Sequence, residues 1–277
     1  MNAVAPARLC LAAAECILVA MVDIHCHLLP GVDDGPETIE ESLEIAEMAI
    51  ADGITHIAAT PHSNDTYSFD PERNQALCSE LSGRLDGRLA LTTGCDFHLS
   101  YENVEAATAD PARFALNQKH YLLVEFADFA LPPFLDQALA RLQQVGLKLI
   151  VTHPERNPLV RAAPDRLRGW IESGCYAQIT GQSLTGRFGP TAQRAALGYL
   201  DRGWVHFVAS DAHNVGRRPP RLRQAYDLVA ARRGPQAARA LFHNNPLAAW
   251  QGQPLPWTPE PDEMETPAPA RRRFFFF

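Results

Sequence analysis

The chain has 277 residues, of which 46% are hydrophobic and 21% are charged. This composition excludes a largely disordered protein, and the length suits one domain of the barrel class, which commonly takes about 200 to 250 residues. The formal net charge of −7 excludes a broad basic surface for non-specific nucleic-acid binding. We therefore expect no nucleic-acid partner.

Residues 1–20 resemble a secretory signal peptide only superficially. Arg8 precedes small and apolar residues, but Glu15 interrupts the apolar run. A strand is predicted to begin at about Val22, which leaves no spacer before the mature fold. We interpret 1–20 as an extension added by a misassigned start codon, with Met21 as the true first residue. The apolar stretch is also too short to span a bilayer, so no stable membrane insertion is expected.

Predicted strands and helices alternate along the rest of the chain. After the first strand, a helix is predicted from about Pro36 until Gly53 ends it, because apolar residues repeat there at helical spacing. The next strand follows at once. Further helices are predicted near 71–86, 134–145, 164–173 and 190–202, and further strands near 89–94, 121–126, 147–152, 175–180 and 204–209. About seven β/α units result, which predicts a parallel α/β barrel.

The C-terminal part is predicted to leave the barrel. Helical stretches are predicted at about 221–233 and 235–243, and Asn245-Pro246 is predicted to end regular structure. Residues 251–277 are predicted to form a disordered tail, because prolines and acidic groups dominate most of it. The last residues, RRRFFFF, are compatible with docking on a partner or a membrane surface, but an unstructured terminus without function is the preferred interpretation.

Histidines and carboxylates recur where an apolar run turns into a polar loop. His25 and His27 lie two apart on the first strand, so both imidazoles should face one side, with Asp23 on the same face as their support. Parallel strands end at one face of a barrel, so these residues predict a shared metal pocket. Similar residues at later strand ends and loops are Asp33, Asp34, His62, Asp96, Glu125, His153, Arg156, Asp211 and His213. Imidazole and carboxylate ligands without thiolate favour manganese, iron or zinc.

Some of these residues also have a purely structural interpretation. Glu125 ends the apolar run YLLVEF, where a carboxylate is costly to bury without a cation, although a structural salt bridge is the alternative. The six cysteines form no C-x-x-C pair, which fits reduced thiols in the cytosol, and Cys26 is expected to pack in the core. Neither Cys95 nor Cys175 has an arginine at the sixth position after it, so no cysteine nucleophile is predicted.

The motifs HCHLLPGVDDG, TPH, VEF, THPER and SDAHN, the last followed by RPP, resemble the PHP (polymerase and histidinol phosphatase) superfamily in order and spacing. Most similar are its bacterial manganese-dependent protein-tyrosine phosphatases, which are encoded with capsule and exopolysaccharide genes. The resemblance covers about residues 21–250. It implies one phosphatase domain with a distorted (β/α)7 TIM-like barrel, the PHP fold, and as many as three metal ions. Manganese is implied before iron or zinc.

The resemblance also implies roles for individual residues. The implied metal ligands are His25, His27, Asp34, His62, Asp96, Glu125, His153, Asp211 and His213. The implied phosphate-binding arginines are Arg156 and either Arg217 or Arg218, of which Arg218 is favoured because it directly precedes the prolines. Residues that could assist the leaving group are His62, His98 and Arg156.

Two positions depart from the family pattern. The family commonly has Glu where this chain has Asp96, and a shorter carboxylate is expected to bridge two ions less well. His98 would then be either a compensating residue or a bystander. The motif QITGQSL replaces an Asn-Ala that usually precedes Gly-Ser-Leu, so Thr180 and Gln182 change the predicted pocket floor.

The predicted activity is hydrolysis of phosphomonoesters by a metal-activated hydroxide. The first hypothesis is a cytoplasmic protein-tyrosine phosphatase that acts on the Tyr-rich tail of a membrane tyrosine autokinase in capsule and exopolysaccharide regulation. The alternatives are a small-molecule phosphatase, for example for histidinol phosphate, and a degenerate non-catalytic scaffold. Tyr67, Phe69 and Phe97 are candidates for an aromatic entrance, with core packing as the alternative.

Overall fold

The computed structural model describes residues 19–259. Its strands are β1 (Met21–Cys26), β2 (Ile54–Ala59), β3 (His62–Ser63), β4 (Ala90–Thr93), β5 (Asp96–His98), β6 (Tyr121–Glu125), β7 (Lys148–Thr152), β8 (Tyr176–Thr180) and β9 (Phe207–Ala209). Its α-helices are α1 (Ile39–Asp52), α2 (Pro71–Leu85), α3 (Tyr101–Ala109), α4 (Leu135–Gln144), α5 (Pro158–Ala162), α6 (Pro164–Glu172), α7 (Gly181–Leu184), α8 (Gly189–Asp201), α9 (Arg223–Arg233), α10 (Pro235–Arg239) and α11 (Asn245–Gln251).

The strands form a parallel barrel in which two of the strands are interrupted. The paired orders are β1-β2-β4 and β3-β5-β6-β7-β8-β9, and β3 and β5 continue β2 and β4 after short breaks. The backbone N–H of His27 donates to the Ala212 carbonyl over 2.8 Å, and the Asp211 N–H donates to the His25 carbonyl over 2.8 Å. These bonds close the last strand onto the first. The described residues thus confirm the predicted distorted (β/α)7 barrel.

The two interruptions have local causes. Pro61 has no backbone N–H, so it ends the ladder of β2, and His62 begins β3 instead of ending the second strand as predicted. A Cβ on Gly94 would lie 2.6 Å from Leu116 Cδ2, so glycine is required there for close packing. The predicted strand 89–94 corresponds to β4, and a separate short strand, β5, begins at Asp96. The breaks leave His62 and Asp96 paired in register.

Apolar side chains fill both faces of the barrel wall. The inner cluster includes Ile24, Leu123, Ile150 and Phe207, and a larger cluster lies between the strands and the surrounding helices. Because both faces are buried, the strands are nearly continuous apolar runs, as expected for a parallel sheet. The interior below the site is therefore a packed floor rather than a channel.

Two helix predictions and the start of the predicted tail need correction. Helix α3 was not predicted, although the Ser100 side chain accepts a hydrogen bond from the Asn103 N–H and caps its start. Asn245-Pro246 does not end regular structure but opens α11, because proline lacks only an N–H that the first helical turn leaves unpaired. The predicted tail also begins too early, since the Tyr121 hydroxyl donates to the Gln253 carbonyl over 2.8 Å.

The remaining predictions for the termini lie outside the described residues. These concern residues 1–18 of the predicted extension and residues 260–277, which include RRRFFFF. No helix within residues 19–259 is both long and apolar enough to cross a bilayer.

Candidate metal centre

The predicted ligands come from strand ends and the loops that follow them, and they meet at one end of the barrel. His25 and His27 enter the site from the end of β1, where the pairing with β2 has a register irregularity between Asp23 and Cys26. His153 and Asp211 follow β7 and β9 with positive φ angles of 33° and 51°. A non-glycine residue in this region is strained, and such strain is concentrated at functional sites.

Three overlapping groups of side chains have ligand atoms close enough to surround a metal ion. They are His27, Asp34, His62 and His213; His25, His27 and Asp96; and His62, Asp96 and Glu125. Within each group the ligand atoms all lie within 4.8 Å of one another. Shared members connect the groups, so the donors form one cluster that could hold more than one cation.

Asp96 lies in the middle of this centre. Its Oδ2 is 3.2 Å from His62 Nδ1, 3.4 Å from His25 Nε2 and 4.0 Å from His27 Nε2. The aspartate is fully buried, and among residues 19–259 neither carboxylate oxygen has a hydrogen-bond donor. Burying a carboxylate without a donor is costly, so a cation at this position would stabilise it.

His62 presents its two ring nitrogens to different groups. Nδ1 lies 3.2 Å from Asp96 and 3.5 Å from Glu125 Oε2, whereas Nε2 lies 3.4 Å from Asp34 Oδ1. His213 Nε2 lies 3.3 Å from the same Asp34 oxygen. His62 is thus placed between two cation positions.

Asp211 and His153 complete the set of nine predicted ligands. Asp211 Oδ1 lies 3.5 Å from His25 Nε2 and 3.4 Å from His27 Nε2. His153 Nε2 lies 3.7 Å from Glu125 Oε1, at the edge of the centre. All nine side chains therefore lie in one connected cluster.

The donor set fits a metal ion. The buried Nε2 atoms of His25 and His27 and the Nδ1 atom of His62 have no hydrogen-bond partner among the described residues. These nitrogens face the Asp96 carboxylate oxygens, which also lack a hydrogen-bond donor among the described residues, and a cation between them would satisfy both. Nitrogen and oxygen ligands without a cysteine in any group agree with manganese, iron or zinc.

Two residues that the sequence did not single out as supports orient these histidines. His27 Nδ1 lies 2.6 Å from Asp33 Oδ2, and His25 Nδ1 lies 2.9 Å from Gln178 Oε1. A hydrogen bond at Nδ1 leaves Nε2 free to bind a metal. Asp23, the predicted support, instead accepts hydrogen bonds from the Ser210 N–H and hydroxyl, because the irregularity in β1 separates it from the imidazoles.

Electrostatics in the centre follow from burial and crowding. Burial, with the nearby charge of Asp96, raises the pKa of Glu125 to about 7. Burial opposes the charge on His62, but the carboxylates of Asp34 and Asp96 outweigh it and raise its pKa to about 11. Burial and the adjacent His27 lower the pKa of His213 to about 4.

The arginines lie on one side of the centre. Arg156 Nη1 and Arg218 Nη2 both donate to Asp211 Oδ2, and Arg218 Nη1 lies 2.8 Å from His213 Nε2. Their side chains are 25% and 23% exposed, so solvent and a ligand can reach them. Arg217 is exposed on the loop surface and makes no ion pair among the described residues. The structure therefore places Arg218, and not Arg217, beside the metal ligands.

The aromatic candidates divide into two groups. Phe69 and Phe97 both pack against Phe114, with ring centroids 5.2 and 5.3 Å away, and belong to the core. Tyr67 stacks on His62 at 6.0 Å with an interplanar angle of 13°, and is the one that lies at the mouth. His98 is half-buried and is absent from the three ligand groups of the described residues.

The segment QITGQSL, predicted to form the pocket floor, packs around Glu155, a residue that the sequence analysis did not select. Glu155 is fully buried and accepts a hydrogen bond from the Thr180 N–H over 2.9 Å. Gln182 Nε2 donates to the Pro219 carbonyl over 3.4 Å. The departures at 180 and 182 thus belong to the wall that connects β7, β8 and the loop after β9.

Comparisons with known proteins agree with this fold. The family model for capsular polysaccharide synthesis, CpsB/CapC, matches residues 21–250. Tyrosine-protein phosphatase YwqE of Bacillus subtilis (strain 168) is 35% identical over 231 residues, which are 82% of this chain and 91% of the relative. Tyrosine-protein phosphatase CpsB of Streptococcus pneumoniae is 29% identical over 235 residues, 82% of this chain and 96% of the relative.

A solved structure is also similar over most of the chain. It comes from a study of YwqE from Bacillus subtilis and CpsB from Streptococcus pneumoniae, described as unique metal-dependent tyrosine phosphatases. The TM-score is 0.81 at 33% identity, and the alignment covers 88% of this chain and 100% of that chain. The fold and site thus define a parallel barrel with a candidate metal centre of histidines and carboxylates. The chain belongs to the CpsB/CapC family of capsular polysaccharide synthesis proteins.

Proposed function

We propose that this protein is a metal-dependent phosphomonoester hydrolase that removes phosphate from tyrosine side chains of proteins. One observation carries the proposal: nine nitrogen and oxygen donors and two arginines converge at one end of the barrel. Related proteins named as tyrosine-protein phosphatases support the choice of substrate.

The proposed ligands are the nine clustered residues His25, His27, Asp34, His62, Asp96, Glu125, His153, Asp211 and His213. When bound, the cations would acidify a water molecule and neutralise phosphoryl charge. Arg156 and Arg218 would bind the phosphoryl oxygens, since a planar guanidinium matches their geometry with two hydrogen bonds. His62, on which Tyr67 stacks, would assist the leaving group only through a ring nitrogen that no cation occupies.

The chemistry of the leaving group favours phosphotyrosine over alkyl phosphates as the substrate. A phenol has a pKa of about 10, so a tyrosine oxygen departs with little protonation, whereas an alkyl oxygen needs a general acid. The four described cysteines are all buried, which argues against a thiolate nucleophile.

We further propose manganese as the physiological ion and the tail of a membrane tyrosine autokinase as the substrate, in the cytoplasm. The donor set supports manganese over copper or a structural zinc site. Membership of the capsular polysaccharide family supports a role in capsule or exopolysaccharide regulation.

The test uses the full chain, stripped with a chelator and reloaded separately with manganese, iron or zinc. We expect reloaded protein to hydrolyse a phosphotyrosine peptide far faster than histidinol phosphate, and His27→Ala to lose activity by orders of magnitude while remaining folded. Faster hydrolysis of histidinol phosphate would instead support a small-molecule phosphatase. Hydrolysis of neither substrate with any ion would favour a non-catalytic scaffold.

A further inference from the structure

The guanidinium of Arg156 has an aromatic neighbour outside the metal centre. Its central carbon lies 4.6 Å from the ring centroid of Phe188, while Nη1 donates to Asp211. Phe188 is half-buried and lies between α7 and α8, after the end of β8. It is not one of the clustered donors, so its position calls for a separate explanation.

The loop that carries Phe188 is held in one shape. Gly186 and Gly189, on either side of it, have φ angles of +84° and +85°, which side chains with a Cβ rarely adopt. The Arg187 N–H donates to the Gln182 carbonyl over 2.9 Å, and the Gly189 N–H donates to the Gly186 carbonyl over 3.0 Å. These turns fix where the Phe188 ring is presented.

The same segment also contacts the loop that bears the second arginine. Arg187 Nη2 donates to the Gly216 carbonyl over 3.5 Å, and Gln182 Nε2 donates to the Pro219 carbonyl over 3.4 Å. Gly216 and Pro219 lie on either side of Arg218 in the chain. One short segment, residues 182–188, therefore contacts Arg156 directly and the Arg218 loop at two points.

We propose that Phe188 is a positioning residue for phosphate binding, which fixes the plane of the Arg156 guanidinium so that it and Arg218 meet one phosphoryl group together. This rests on the proposed function. A flat ring restricts the guanidinium by cation–π attraction but takes none of its N–H donors, so those that do not bind Asp211 remain free for phosphate oxygens. An arginine held in its binding orientation loses less entropy when the ligand arrives.

The test compares Phe188→Leu and Phe188→Tyr with wild type in the manganese-loaded full chain. Inorganic phosphate affinity is measured by calorimetry, and kcat and KM are measured with p-nitrophenyl phosphate. We expect Phe188→Leu to weaken phosphate binding and raise KM about three- to tenfold, the range of a partly desolvated cation–π contact, with a smaller change in kcat. Phe188→Tyr keeps an aromatic ring, so phosphate affinity and KM should stay close to the wild-type values. Phe129→Leu is the matched control, because Phe129 is 89% exposed.

A double-mutant cycle separates positioning from a general structural effect. In an Arg156→Ala background, Phe188→Leu should add less than about a twofold loss, because the group it positions is gone. An equal loss in both backgrounds, or a fall in bound metal in Phe188→Leu, would overturn the proposal. Wild type that binds phosphate without turning over any phosphomonoester would refute the proposed function, while the binding cycle would still decide the role of Phe188.

Discussion

Asp33 Oδ2 lies 2.6 Å from His27 Nδ1 and also accepts the backbone N–H of His62 over 3.1 Å. One carboxylate therefore orients two candidate ligands without entering the ligand groups itself. The acceptor at Nδ1 fixes the His27 proton there and turns the Nε2 lone pair toward the cation position.

This relationship predicts that Asp33→Asn lowers metal affinity about 10- to 100-fold. The new amide can place an N–H opposite Nδ1, which favours the tautomer with its proton on Nε2. Metal affinity is measured by competition with a fluorescent chelator, with Asp110→Asn on the surface as the control. An affinity unchanged in both variants would contradict the assigned role of Asp33.

Asp96→Glu should not improve the enzyme. Asp96 already reaches three imidazole nitrogens within 4.0 Å, and its side chain has no solvent exposure. An extra methylene in this packed site is expected to cost about 1–3 kcal/mol of unfolding free energy. Chemical denaturation measures the cost, and manganese titration of the same samples measures binding. A variant that is both more stable and more active would show that the shorter carboxylate is a defect.

The two neighbouring arginines should behave differently. Arg218→Ala removes donors beside Asp211 and His213, and is expected to lower kcat/KM about 10- to 100-fold, because a charge-assisted contact to the phosphoryl group is lost. Arg217→Ala, on the exposed loop surface, should change kcat/KM by less than about twofold. Steady-state kinetics on a phosphotyrosine peptide compares the pair, and equal losses would contradict the assignment.

Chelators should inactivate the protein and thiol reagents should not. Burial raises the pKa of Cys95 well above its ordinary value and raises that of Cys175 to about 12, so little thiolate exists at neutral pH. We expect iodoacetamide to leave turnover within about twofold of the untreated protein. Because Cys10 and Cys16 lie outside the described residues, a variant with serine at both positions serves as the control. Loss of activity in that variant on alkylation would point to a reactive thiol in the barrel.

His206 predicts how stability depends on pH outside the metal centre. Burial lowers its pKa to about 4, and Nδ1 accepts the Ala177 N–H over 3.2 Å. Because the folded pKa lies below the unfolded value of about 6.5, the unfolded chain binds the extra proton between these values. The contribution of neutral His206 to the free energy of unfolding is therefore fully present above pH 6.5. It is lost as the pH falls toward 4, and the loss is about 3 kcal/mol at most.

The measurement is denaturant unfolding of chelator-treated protein at pH 7 and at pH 4.5. His206→Asn keeps an acceptor near the Ala177 N–H but cannot be protonated, so its stability should fall less with acid than that of wild type. His120→Asn, at an exposed position, should follow the wild-type curve. Parallel pH curves for His206→Asn and wild type would exclude His206 as the source.

Much of the site could be predicted because parallel strands all end at one face of a barrel. His25 and Glu125 follow apolar runs directly, and that position alone indicated a shared pocket. The supporting residues could not be predicted in the same way. Gln178 lies 153 positions from the histidine it orients, and only closure of the barrel brings the two together.

The wrong position predicted for Asp23 and the missed helix α3 have separate local causes. An irregular register in β1 removed Asp23 from the imidazoles, since one displaced residue changes the face of every side chain after it. Alternation along an ideal strand could not indicate this. Helix α3 was missed because its short sequence, YENVEAATA, carries little apolar periodicity.

The positive φ angles of His153 and Asp211 have a consequence for how cations exchange. The neighbouring strands hold the backbone in this unfavourable conformation. Their hydrogen-bond ladders and apolar packing do not depend on a bound ion. We therefore expect the cluster of candidate ligands to be rigid before a cation binds. We expect ions to enter and leave while the polypeptide keeps its shape, in contrast to small zinc modules that collapse when stripped.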